Sequence, residues 1–150
     1  MKVRCIYNTG EALRQYEYKP LEKDMMGRFG ATGYTAYGDG GLTIGQEYLV
    51  MGVIVFETYE GYLIDHGGVP SVYPCQLFEL IDNKVNLNWH FRLIEKDEDI
   101  YPFVQSILGY PELCSDKKAY ENLIVDMEEE YQRIYFRRKI EMEIKLEEQK

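Results

Sequence analysis

Apolar residues are densest between Leu42 and Asp82, in LTIGQEYLVMGVIVFETYEGYLIDHGGVPSVYPCQLFELID. From Tyr48 to Phe56 the apolar run is nearly continuous, which fits either a buried helix segment or a strand covered on both faces. Its β-branched and aromatic residues favour a strand, and Gly52 in its middle marks a bulge or a sharp bend. Thr58-Tyr59-Glu60-Gly61 then reads as a hairpin turn and Tyr62-Leu63-Ile64 as a short return strand. Asp65-His66-Gly67-Gly68 forms the next turn, and Val69 to Tyr73 a third strand. Pro70 and Pro74 cannot donate to a ladder, so they place its ends at a sheet edge or a turn. Gln76 to Ile81 carries the chain back, and Asp82-Asn83 ends it. Short strands and turns at this spacing predict an antiparallel sandwich or barrel rather than a βαβ fold.

Before this stretch, Lys2 to Tyr7 alternates, with Val3, Cys5 and Tyr7 on one face, and Asn8-Thr9-Gly10 ends that strand. Glu11 to Tyr18 fits a short helical turn or a second strand. Residues 23–41 carry six glycines with no clear apolar period and read as a long loop. After it, Val85 to Ile94 has the cleanest period of two in the chain. Val85, Leu87, Trp89, Phe91 and Leu93 are expected to face the core, with Trp89 as an anchor. Asn86, Asn88, His90 and Arg92 are expected to face solvent. Glu95 to Asp99 is a charged linker that opens a helix over Ile100 to Leu108, stopped by Gly109 and Pro111. Ser115 or Asp116 then caps a long helix. Its stripe of Tyr120, Leu123, Ile124, Met127, Tyr131, Ile134 and Tyr135 packs on the strands or pairs with a second chain. In the tail, Ile140, Met142, Ile144 and Leu146 alternate with charges, but the residues are good helix formers that continue a helix. A helical tail spreads those four around the axis and leaves some exposed for a partner.

The segments GLTIGQEYLV, GYLID and PSVYP followed by LFELID resemble a group of small bacterial proteins with an SH3-like barrel, some of which are similar to immunity proteins of polymorphic toxin systems. The resemblance covers about the middle third of the chain and rests on turn glycines and core aromatics, so it implies fold more than function. The expected class is α+β, mainly β: a small antiparallel SH3-like barrel over residues 1–96, with a helical extension over 97–150 packed on it.

Composition narrows the function classes. The chain has 150 residues, 45% of them hydrophobic, which is enough for a folded core. Its fourteen tyrosines suit both a core edge and a binding face. The net charge of −9 argues against a phosphate backbone as partner and is compatible with a basic protein. The one basic cluster, Arg133, Arg137, Arg138 and Lys139, lies among glutamates and reads as a salt-bridged solvated face. Three dispersed cysteines, Cys5, Cys75 and Cys114, fit a reducing compartment. The absence of a signal-like start or a long apolar run adds to the expectation of a cytoplasmic protein without a membrane partner.

No catalytic set emerges. Phosphate loops need a strand before and a helix after the glycines, and GRFGATG has neither context. His66 beside Asp65 could orient an imidazole, but a base also needs a pocket and a substrate. Cys75 would need a histidine close in space. No zinc spacing or EF-hand loop is present, and no cofactor is expected. The sequence therefore favours a protein-binding module over an enzyme, an immunity-type protein that covers the basic site of a cognate toxin. The candidate face combines Tyr59, Glu60, Asp65 and His66 with the acidic Glu128, Glu129 and Glu130. The alternative is an oligomeric subunit with the C-terminal helix as a dimer interface; a small hydrolase or nucleotide binder is the third reading.

Overall fold

A computed structural model describes residues 1–21, 27–30, 41–98, 100 and 103–149. The glycine-rich loop expected over 23–41 lies outside the described residues apart from 27–30 and 41. The fold is α+β, and its described strands form two antiparallel sheets rather than one closed barrel. The smaller sheet has the order β2-β1-β6: β1 (Lys2–Cys5) in the centre, β2 (Glu47–Leu49) on one side and β6 (Phe78–Asp82) on the other. The larger has the order β5-β4-β3-β8-β7, from β3 (Gly52–Phe56), β4 (Glu60–His66), β5 (Val69–Pro74), β7 (His90–Leu93) and β8 (Val104–Gly109).

The apolar run is thus two strands. Val50 and Met51, both fully buried, carry the chain from the small sheet into the large one, and Gly52 opens β3. Gly52 pairs across the ladder with Gly109 of β8. A Cβ on Gly109 would lie 2.8 Å from the Leu113 side chain and 3.1 Å from the Met51 carbonyl oxygen, so the position needs the missing side chain. Pro70 and Pro74 lie in β5, the edge strand, as their missing N–H groups require. The two hairpin turns are tighter than the composition suggests. Glu60 and Gly61 already belong to β4, and so do Asp65 and His66; only Gly67 and Gly68, both at positive φ, make the second turn. A single 3-10 turn, Cys75–Leu77, then returns the chain to the small sheet. The open reading of Glu11 to Tyr18 resolves to helix: α1 (Gly10–Leu13), capped by the Thr9 hydroxyl, followed by a 3-10 turn at Arg14–Tyr16.

Past Asp82 three expectations fail. The alternating strand of 85–94 is only β7, and its faces are inverted. Trp89 is buried, but Leu87, Phe91 and Leu93 are exposed and Arg92 is buried. β7 is an edge strand whose inner side meets Glu98 and Lys117. There the Arg92 guanidinium donates to the Glu98 carboxylate and to the Lys117 carbonyl, so a charge is satisfied where the pattern predicts solvent. The helix expected over 100–108 is β8, a central strand bonded to both β3 and β7. Two open ladders outweigh local helix preference, and Phe103 sits at φ 64, which no α-helix accepts. The long helix expected from Ser115 or Asp116 is broken. A short α2 (Pro111–Ser115), which Pro111 opens rather than stops, ends where that helix was expected to begin, and a wide π-type turn (Glu121–Val125) and α3 (Glu129–Glu148) follow, with Met127 at φ 49 in the corner. The apolar stripe still packs inward at Tyr120, Leu123 and Tyr135, while Met127 at the corner is exposed. The boundary expected at 96/97 falls between β7 and β8, two neighbouring strands of one sheet.

Candidate functional site

β4 separates the expected site residues. Tyr59 and Glu60 stand at its start and Asp65 and His66 at its end, about 17 Å apart at the usual rise of a strand. Glu128, Glu129 and Glu130 are exposed at the start of α3.

At the far end of β4, Asp65 holds the C-terminal helix. Its carboxylate accepts the Tyr135 hydroxyl at 2.9 Å and the Lys139 ammonium at 2.8 Å. Tyr135 is fully buried, and burial together with the Asp65 charge pushes its phenol far above the ordinary range. A second clamp joins the same helix to α2. The Arg138 guanidinium binds both oxygens of Glu112, with Nε 3.0 and 2.8 Å away. That contact raises the pKa of Arg138 and holds the Glu112 carboxyl below its usual range.

His66 lines a polar cleft of about 420 Å³ between β2, the end of β4 and α3, together with Glu47, Lys139, Glu143 and Glu147. Its Nδ1 lies 2.8 Å from the Tyr48 hydroxyl. The Thr43 N–H also donates to that hydroxyl oxygen at 3.2 Å. His66 is a hydrogen-bonded wall of the cleft.

The near end of β4 is more open. Tyr18, Arg28, Thr58, Tyr59, Glu60 and Gln76 line a shallow cleft of about 400 Å³. Tyr59 stacks on Phe56 with centroids 4.7 Å apart and leans on Phe29 at 5.4 Å. Arg28 donates to the Thr58 and Tyr16 carbonyls, and its guanidinium lies 4.5 Å over the Tyr18 ring. The cation therefore braces the wall, while Tyr18, 77% exposed, and Glu60 face outward. Sequence reasoning passed over Tyr18 and Arg28. Their signal was two tyrosines and an arginine beside an undecided element, which local pattern could not join to Thr58.

A third cleft lies between the 82–89 segment and the end of α3, and beside it the indole N–H of buried Trp89 has no hydrogen-bond partner among the described residues. Cys75 is half-buried, and burial pushes its thiol up, away from nucleophilic thiolate. Cys114 donates to the His90 carbonyl at 3.1 Å, and all three cysteines are free thiols. Among the described residues no group of three or more His, Cys, Asp or Glu side chains could hold a metal ion, and no helix is long and apolar enough to cross a membrane. No family model, no curated protein and no solved structure matches the chain.

Proposed function

We propose that the chain is a protein-binding module that takes a basic segment of another protein, and that it serves as an immunity-type protein by covering the basic site of a cognate toxin. The observation that carries this reading is the open cleft at the start of β4. It offers exposed Tyr18, a braced Tyr59 and the outward carboxylate of Glu60, the mix of rigid aromatics and charge on which recognition surfaces concentrate their energy. The neighbouring Glu57 is also exposed, which suits a cationic partner. Asp65 and His66 enter the reading as supports of the fold, and Glu128 to Glu130 as a distant source of attractive potential.

An SH3-like architecture belongs to the same proposal. It is supported by the path of the chain: a first strand, a long connection, and a run that passes from the small sheet into the large one at Gly52. A hairpin, a 3-10 turn and a last strand beside the first follow. A cytoplasmic setting is proposed with it, on the three free thiols.

The test is binding to a candidate toxin from a neighbouring gene, measured at low and high salt for the wild type and for Tyr18→Ala and Glu60→Lys. Affinity should fall as salt rises, and each variant should lose about tenfold or more, or about 1.4 kcal/mol. Salt-independent binding, or full affinity in both variants, would remove the cleft from the interface.

A further inference from the structure

An exposed side of α3, which includes the Glu143 and Glu147 rim of the cleft beside His66, has a pattern that the partner-binding reading does not use. Met142 and Tyr135 point inward and are buried. Half-buried Phe136, which also packs on the core beside Tyr135, and exposed Ile140 and Ile144 recur at intervals of four and form one ridge. Ile140 is 56% exposed and Ile144 51% exposed, on a helix otherwise rich in charge. Two arginines and two glutamates flank the ridge, all exposed: Arg133 and Arg137 before Ile140, Glu143 and Glu147 after it. The spacing is symmetric. Arg137 and Glu143 each lie three residues from Ile140, and Arg133 and Glu147 each lie seven.

None of these four charges is firmly held by another of the described residues. Arg137 has Glu112 at 3.9 Å while its side chain stays 61% exposed, and Glu143 has Lys139 at 4.0 Å while 54% exposed. Arg138 and Lys139, by contrast, are turned inward onto Glu112 and Asp65.

We propose that α3 pairs with α3 of a second copy of this chain, antiparallel, about a two-fold axis through Ile140. In that register Ile140 meets Ile140, Phe136 meets Ile144, Arg137 meets Glu143 and Arg133 meets Glu147. A parallel pair would set Arg137 against Arg137 and Glu143 against Glu143, so the charge order selects the antiparallel arrangement. One helix face about 30 Å long is smaller than a standard interface. The dimer is therefore a weak one, with a Kd on the order of 10–100 μM. It is independent of the cleft at the start of β4 and leaves that cleft open.

Sedimentation equilibrium at low salt, over a range up to about 1 mM protein, tests it. The wild type should dimerise. Arg137→Glu and Glu143→Arg should each weaken self-association about tenfold, and the double variant carrying both should regain the wild-type value. Ile140→Asp should be monomeric. All three substitutions lie on the surface, and unchanged circular dichroism melting confirms that each variant is folded. A wild type that stays monomeric throughout, single charge reversals that dimerise as well as the wild type, or a double variant that does not recover would each overturn the proposal.

Discussion

The five-stranded sheet has two halves that follow different rules. β3, β4 and β5 are joined by tight turns and bury their apolar residues: Ile54 and Phe56 of β3 are inside, and so are both Leu63 and Ile64 of β4. β7 and β8 come from a later stretch separated by loops, and β7 reverses its own pattern, with Phe91 and Leu93 outside and Arg92 inside. Of the two, the clean apolar alternation in the sequence belongs to β7, whereas β3 is a continuous apolar run. The difference is what lies over them. The first half is packed between the small sheet and the helical elements. The end strand of the second half has cover on one side, and that cover brings Glu98 and the Lys117 carbonyl to receive a cation. Alternation therefore reports that a strand has two unlike faces. It does not report which face the rest of the molecule covers.

Four substitutions probe the contrast. Leu63→Ala, in the first half and fully buried, should cost about 3 kcal/mol in urea unfolding; a loss under about 1 kcal/mol would mean that this half is loosely packed. Arg92→Ala should cost about 2–3 kcal/mol, because it strands the Lys117 carbonyl and leaves the Glu98 carboxylate without its buried cation. If Arg92→Ala were neutral, the original in–out pattern of β7 would be restored.

Arg138→Ala should cost about 1 kcal/mol, and its effect should depend on pH. The guanidinium holds the Glu112 carboxyl below its usual range. A depressed carboxylate contributes its stability above the unfolded pKa of about 4.3 and loses it as pH falls through the lower folded value. The gap between wild type and variant should be full at neutral pH and should close below about pH 4, as read from melting temperatures across that range. A gap that persists at low pH would show that packing of the arginine stem, not the ion pair, holds α3 to α2.

Leu93→Ala should change stability by less than about 0.5 kcal/mol, although the sequence treats Leu93 and Leu63 alike, because Leu93 is 63% exposed. A large loss would place another layer over β7.

The candidate site was legible in part. Tyr59 and Glu60 do stand at an open cleft, but Asp65 was read as a turn residue when it is the anchor of α3, seventy residues away in the chain at Tyr135. No local signal marks that pairing. An Asp before His-Gly-Gly satisfies turn chemistry as it stands, and only the docked helix gives its carboxylate two donors.

The amino-acid sequence by itself determined the elements whose reasons are local. The bend at Gly52, the Gly67–Gly68 turn, the edge placement of Pro70 and Pro74, and the helical tail all follow from backbone freedom, missing donors and side-chain propensity within a few residues. Tertiary structure alone decided the rest: that Val104–Gly109 is a strand, that Arg92 is inside, that the expected long helix turns a corner at Met127, and that the run from Tyr48 to Phe56 is divided between two sheets. Each of these depends on a partner far away in the chain. Open hydrogen-bond ladders and buried charges can be satisfied only by groups that the fold brings to them.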